Sequence, residues 1–397
     1  MKILQVVPYF SPAYAFGGPV KVAFQVSREL VKRGHQVVVW TSDAKDLDSR
    51  LTVKPVSIVD GIKVHYMRNL SMIPVKKSKI FITPELVSKV KEDIKEFDIV
   101  HLHEYRSFQN IVVHHYANKY GVPYVLQACG SLPRIIAKQR LKWIYDVLFG
   151  YRLLRDASKV LALSLMEAEQ YSEMGVPNEK IAIIPNGIDL SDYVDLPPKF
   201  SFKENFNIPK DLKIVLYLGR IHEIKGIDFL VKAYAKLIEK FKDILLVVVG
   251  PDDGYLDELR GLISSLNIAD DVLFTGPLYE KDKFEAYVDA DIFVLPSRYE
   301  TFPNVVLEAY ACSKPVIASD VMSIPDIVLH GKTGLLFRAG DKLELGKMIS
   351  YMLTNTEEAE GMGHKAFKFV EEKFSLEKVV DSIEFLYETI LNEKKGR

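Results

Sequence analysis

Short runs of β-branched and other apolar residues recur along this chain, and most are followed by a longer stretch whose apolar positions fall three and four apart. The first pattern predicts buried strands and the second predicts helices packed over them, which together make parallel βαβ units. In the first half the predicted strands are 2–7 (KILQVV), 36–40, 62–66, 98–103, 123–127, 159–163 and 181–185, with helices near 19–33, 84–96, 106–120, 137–155 and 164–173. The stretch 186–211, rich in Pro, Asn and Asp, interrupts the pattern and reads as an interdomain linker. The pattern then restarts, with strands at 213–219, 244–250, 271–276, 291–297, 314–319 and 334–337, each followed by a helical pattern. The expected architecture is α/β, with two Rossmann-like, doubly wound domains facing each other across a cleft.

Composition narrows the class. A chain of 397 residues with 48% hydrophobic content can fill two cores. Lys plus Arg (52) nearly balances Asp plus Glu (53), so the molecule as a whole has no strong attraction for nucleic acid or an anionic membrane, and any such attraction is local. The two cysteines, Cys129 and Cys312, lie far apart in no metal-ligand spacing and suggest a reducing compartment. The opening MKILQVVPYFSP is broken by Pro8 and Pro12 before it could form a signal-peptide core, and no run approaches the roughly 18 apolar residues of a membrane span. A cytoplasmic protein is expected.

In doubly wound sheets ligands sit beyond the carboxyl ends of the strands, so the loops there are where chemistry is sought. After the first strand, Gly17 and Gly18 precede Pro19 where a helix begins, an arrangement that lets amides approach an anion and that also fits a plain turn. No GxGxxG spacing is present, which weakens a dinucleotide reading. After the first strand of the second half comes GRIHEIKGID, with Arg220 and Lys225 flanking a short loop before Gly226. A guanidinium fork and an ammonium suit a diphosphate, although two solvated surface cations would look the same. The segment RYETFPNVVLEAY, 298–310, places Glu300 in the loop, Pro303 as the first helical residue, and Glu308 in the second turn. Amides at Asn304, Val305 and Val306 are expected to be free at the helix start, and helical side chains tilt toward the N-terminus, which lets Glu308 reach back to a ligand there.

Taken in order on two Rossmann-like halves, Gly17-Gly18, IIPNGID, GRIHEIKG and ETFPNVVLE resemble the retaining nucleotide-sugar glycosyltransferases of the GT-B fold, family 4 (glycosyl transferases group 1). The resemblance runs over nearly the whole chain and is strongest from about 181 to 340. It implies an acceptor-side domain over 1–188, onto which a helix at about 376–397 packs back, and a donor-binding domain over 189–375. It implies a hexosyltransferase that moves sugar from a UDP- or GDP-linked donor to a glycan or lipid-linked acceptor in polysaccharide or glycoconjugate synthesis. No cofactor and no metal are expected. By the same likeness Arg220 and Lys225 bind the donor diphosphate, Glu300 accepts hydrogen bonds from the donor sugar, and Glu308 holds the ribose. Amides at Phe302, Asn304 and Val305 orient sugar and phosphate, Pro277 and Leu278 edge the nucleobase, and Gly17 and Gly18 add a contact from the first domain.

One position departs from the pattern. Where many members carry a histidine before the glycine of this loop, the chain has Cys129 in QACGSLPR, and an ordinary thiol is a poor substitute for imidazole as acid or base. His101 and His103 end a neighbouring strand. As a pair two apart they are expected to point to opposite faces, leaving at most His103 to line the acceptor side. A GT-B phosphorylase or synthase acting on small sugars, and a catalytically weak donor-binding homologue, are the competing readings, with an NAD-linked oxidoreductase further off.

Three look-alikes fall away. HGKTG at 330–334 lacks the glycine a P-loop needs, since Asp326 stands there; DAD at 289–291 sits at a helix-to-strand junction; and NLS at 69–71 is a glycosylation acceptor only outside the cytoplasm. The segment 134–155 remains, with six basic residues against the single acid Asp146, interleaved with aromatic and aliphatic ones. It fits either a helix packed by its apolar face on the sheet or peripheral contact with the inner face of a membrane.

Overall fold

The computed structural model describes residues 1–135 and 138–396, and the chain divides into two compact units. The first comprises Met1–Gly187 and Leu376–Arg397, and the second Ile188–Ser375. Ala137, the first position of a predicted helix, and Arg397, the last of another, lie outside the described residues.

The first unit has an eight-stranded sheet. Its strands are β1 (Lys2–Val6), β2 (Gln36–Ser42), β3 (Val56–Val59), β4 (Ile62–Met67), β5 (Ile99–His103), β6 (Tyr124–Gln127), β7 (Lys159–Ala162) and β8 (Ile181–Ile183). They are ordered β3-β4-β2-β1-β5-β6-β7-β8, and every pairing is parallel except β3 with β4. The predicted strands are thus all present, and β3 is additional. It is a short edge strand joined to β4 through Asp60-Gly61, both with positive φ, the geometry of a tight hairpin.

Strand alternation builds a core on each face of this sheet. Leu4, Val6, Trp40, Leu102 and Leu126 face one layer of helices. Ile3, Val37, Val39, Ile99 and Val125 face the other, which includes Val380, Ile383 and Tyr387 of the helix Leu376–Lys395. The last helix of the chain therefore completes the core of the first unit. Its partner, the helix Gly18–Lys32, begins at the Gly17-Gly18-Pro19 turn and buries Val20, Ala23, Val26 and Leu30.

The second unit has six parallel strands: β9 (Lys213–Leu218), β10 (Ile244–Val249), β11 (Val272–Gly276), β12 (Ile292–Leu295), β13 (Val316–Ser319) and β14 (Gly334–Phe337). Their order β11-β10-β9-β12-β13-β14 reverses direction between β9 and β12, and a crevice opens at such a switch point in doubly wound sheets.

The stretch expected to be a linker belongs to this unit from Ile188 onward. It winds a short 3-10 turn at Leu190–Tyr193 and a helix at Ser201–Asn205, with Phe202 wholly buried. Amides of Phe200 and Lys203 donate to the Asp289 carboxylate, at 2.5 and 3.0 Å, and the Ile214 amide donates to Asp291 at 2.7 Å. The acids of DAD are spent on backbone, and polar composition here marked anchoring rather than freedom.

Candidate functional site

Two loops meet at the switch point of the second sheet. After β9 the chain passes Gly219 and Arg220, and His222 accepts the Ile224 amide on its Nδ1 at 3.0 Å. A 3-10 turn, Glu223–Lys225, then ends at Gly226 with φ 63. A Cβ on Gly226 would lie inside van der Waals contact with the Pro296 carbonyl oxygen, so the loops after β9 and β12 approach this closely only because the residue is glycine. Arg298 fastens them further: its amide donates to the Ile224 carbonyl at 2.8 Å, its guanidinium reaches the Glu223 carbonyl at 2.5 Å and Asp228 at 2.8 Å, and it stacks 4.1 Å above the Phe229 ring.

Held in this way, Lys225 donates to Oε2 of Glu300 at 2.5 Å, and Ser297 donates to the same oxygen at 3.3 Å. Both members of the pair are largely buried. The sequence placed the two residues in separate motifs 75 positions apart, and the fold makes them one ion pair. Burial, with the Glu300 charge nearby, drives the Tyr217 hydroxyl far above its usual range, so that hydroxyl stays protonated. Arg220, half exposed, pairs instead with Asp253, a surface contact that solvent weakens.

Glu300 lies off the helix, as the sequence predicts, and the helix runs Asn304–Ala311. Pro303 is its N-cap rather than its first residue, with ψ 84. The expected row of free amides is reduced accordingly, because Asn304 donates to the Phe302 carbonyl at 3.1 Å and Val306 to the Pro303 carbonyl at 2.9 Å. Phe302 is buried and lies near the Phe374 ring, with centroids 6.3 Å apart. Glu308 sits in the second turn and is buried; its Oε1 accepts from Lys283 at 2.7 Å and its Oε2 from Tyr287 at 3.1 Å. Lys283 and Tyr287 come from the helix Glu280–Asp289, which follows the loop holding Pro277 and Leu278. No local pattern pairs them with Glu308; only the crossover that stacks this helix on Asn304–Ala311 does.

In the first unit the corresponding switch lies between β1 and β5. Gly17 takes φ 84 and caps the helix that starts at Gly18. His101 and His103 share one face, in contrast to the expectation, because residues two apart in a strand point the same way. Their rings stack with centroids 4.3 Å apart. His103 Nε2 lies 2.6 Å from Gln5 Oε1 and His101 Nδ1 lies 2.6 Å from the Tyr387 hydroxyl. Burial lowers the His103 pKa to about 4 and holds His101 well below the ordinary imidazole value, so both are neutral near pH 7.

Cys129 adopts φ 51 at the end of β6, and burial, with Glu104 and Glu167 adding to it, pushes its thiol well above the ordinary value. Glu167, which the sequence did not single out, holds this loop: it accepts from Gly130 at 2.6 Å and Leu163 at 2.7 Å. Its carboxyl is raised to about 7 by burial, against those two amides. Tyr9 donates to Glu104 at 2.8 Å, and Glu104 lines a small cavity with Lys79 and Ile80.

Two doubly wound α/β units of this kind are the architecture of the GT-B glycosyltransferases. Residues 198–369 match the family model of glycosyl transferases group 1, and residues 16–192 match glycosyltransferase family 4. The chain is a group 1 glycosyltransferase, an enzyme that moves hexosyl groups. It is 26% identical to N-acetyl-alpha-D-glucosaminyl L-malate synthase of Bacillus anthracis, over 96% of each chain. To D-inositol 3-phosphate glycosyltransferase of Actinosynnema mirum it is 27% identical, over 81% of this chain and 80% of the other. Among solved structures, Anabaena Alr3699/HepE in complex with UDP and glucose has the same fold, with TM-score 0.78 and 20% identity over 98% of this chain and 100% of that one.

Proposed function

We propose that the chain transfers a hexosyl group, with retention of configuration, from a UDP- or GDP-linked sugar to a hydroxyl of a glycan or lipid-linked acceptor. The observation that carries this reading is the Lys225–Glu300 pair at the switch point of the second sheet, with Arg220 at the end of the adjoining strand. The complexes of Anabaena HepE with UDP and with UDP-glucose support a nucleotide-sugar donor.

In this reading Arg220 exchanges its exposed partner Asp253 for the donor diphosphate, where Lys225 joins it. Their charge opposes the negative charge that develops on the leaving phosphate, which is where electrostatic stabilisation is largest. Glu300 keeps Lys225 in place through Oε2 and offers Oε1 to a sugar hydroxyl. Each carboxylate oxygen of Glu308 has a second lone pair, so Glu308 accepts from the ribose while Lys283 and Tyr287 hold it. The Val305 amide, which has no backbone acceptor among the described residues, turns to the phosphate, while Pro277 and Leu278 border the base. The acceptor attacks from the face the nucleotide leaves, and its proton passes to the departing phosphate oxygen. No side-chain base is required, and the high-lying Cys129 thiol is not asked to act as one. No resident metal or cofactor takes part. Two unpaired cysteines fit a reducing cytoplasm.

A thermal-shift panel of UDP- and GDP-sugars tests the reading. One nucleotide class should stabilise the chain, by about 2.7 kcal/mol at a hundred times its dissociation constant. Equal indifference to all of them counts against the assignment. Inorganic phosphate should not replace the nucleotide in turnover, as it would for a phosphorylase. The unaltered chain should turn over donor; turnover only in Cys129→His would mark a weakened homologue.

A further inference from the structure

We propose that the first unit carries a docking surface for an anionic lipid bilayer, formed by residues 138–152 together with the neighbouring segment 70–80. This goes beyond the transfer reaction and does not depend on it.

A helix laid on a sheet ordinarily buries its apolar face and gives its charges to water. Here the polarity is reversed. Asp146 points inward and is wholly buried, accepting from Arg106 at 2.9 and 2.7 Å and from Arg134 at 2.7 Å. Beside it the Tyr145 hydroxyl donates to the Tyr105 and Ser107 carbonyls at 3.1 and 3.2 Å. With the inner face occupied by this polar network, the apolar side chains are left outside: Leu141 is 61% exposed, Trp143 53%, and Leu148 55%, with Ile144 and Val147 also exposed. The π-wound turn Asp146–Gly150 keeps Asp146 buried while Val147 and Leu148 face outward.

The second segment enlarges the patch. Leu70, Ile73 and Ile80 are exposed, and the Lys138 ammonium joins the segments by donating to the Lys77 carbonyl at 2.7 Å and to Ser78 Oγ at 2.6 Å.

Charge selects the occupant. Lys77, Lys79, Lys138, Arg140 and Arg152 are exposed on the two segments, Lys76 pairs with Asp48 at 2.6 Å, and Asp146, the only acid within the segments, is already opposed by two guanidiniums. Interleaved cations and apolar side chains, with the adjoining Asp48 carboxylate already paired to Lys76, match the headgroup and acyl layers of an anionic bilayer. A second copy of the same face would set cation against cation. The patch adjoins the cavity lined by Lys79, Ile80 and Glu104, so an acceptor anchored in the bilayer would present its headgroup at the carboxyl edge of the sheet.

The chain has two tryptophans, Trp143 in the patch and Trp40, which is buried. Adding phosphatidylcholine vesicles that contain phosphatidylglycerol should shift the fluorescence to the blue and float the protein, and rising salt should reverse both. Pure phosphatidylcholine should do much less. The charge reversal K138E/R140E, and separately L141S/L148S, should each lower binding at least tenfold while leaving the melting temperature and nucleotide-sugar binding unchanged. Absence of a shift on the unaltered chain overturns the proposal, as does binding that ignores both variants. A dimer in light scattering that the same variants dissociate would assign the face to a second copy and also overturn it. Lost transfer with retained vesicle binding would strike only the proposed function.

Discussion

Lys225 and Glu300 hold each other, so each substitution acts on both. Lys225→Ala should lower kcat/KM by roughly a hundredfold or more, the scale of losing one charged group that steadies a developing anion. Glu300→Gln keeps the shape but frees the ammonium to move, and steady-state kinetics should show a fall in kcat for it too. A second test concerns protons. Folded His103 binds a proton only near pH 4, while an unfolded histidine does so near 6.5. Between those values the unfolded chain binds more protons. The stability conferred is therefore complete above about 6.5 and is lost as pH falls toward 4, by about 2–3 kcal/mol for this one group. Urea unfolding at a series of pH values should show that slope, and His103→Gln should lessen it by this group's share, the buried His101 and His65 keeping theirs. At this scale the sequence marked candidate residues but not their partners. Arg220, Lys225, Glu300 and Glu308 stand in recognisable motifs, whereas Lys283 and Tyr287 reach Glu308 only through helix stacking. The histidine pair was legible and misread, since a period of two places both rings on one face.

Elements set how closely those residues can come together. The turn ending at Gly226 packs its α-carbon against the Pro296 carbonyl, with a φ that only glycine takes comfortably. Gly226→Ala should cost about 2–4 kcal/mol from combined strain and overlap and should lower activity with it; denaturant midpoints and donor titration read the two losses. Strands were the most legible elements, because short β-branched runs bounded by turn residues have few other readings. The exception, β3, had its signal in Asp60-Gly61, but the exposed Ile58 hides the alternation that a buried strand displays. Residues 188–211 misled for the opposite reason. Their polar side chains and prolines looked like freedom, yet Asp289 captures their backbone from 86 and 89 positions away. The segment 134–155 was legible as an amphipathic helix. Which way it faced was not, because the buried Asp146 network depends on Arg106 from another loop.

For the molecule as a whole, the helix Leu376–Lys395 matters more than its position at the end of the chain suggests. It buries Val379, Val380, Ile383, Tyr387 and Ile390 against the first sheet, and Arg33 and His35 fasten it through Glu384 at 3.0 and 2.6 Å. At about 1.5–3 kcal/mol for each buried side chain, the loss would rival the 5–15 kcal/mol that stabilises a whole domain. A chain ending at Ser375 should therefore leave the first unit unfolded while the second, whose residues are all present, stays protected; hydrogen exchange resolved by peptide would show the split. No helix among the described residues is long and apolar enough to cross a membrane.

The interleaving of the two units also fixes an order in time. A ribosome delivers the first unit's sheet early and its closing helix last, with the entire second unit synthesised in between. The N-terminal unit must wait with one apolar face of its sheet only partly covered, by the helix Gly18–Lys32, while the unit that begins at Ile188 can fold before it. During translation, the half that starts first is the half that finishes last.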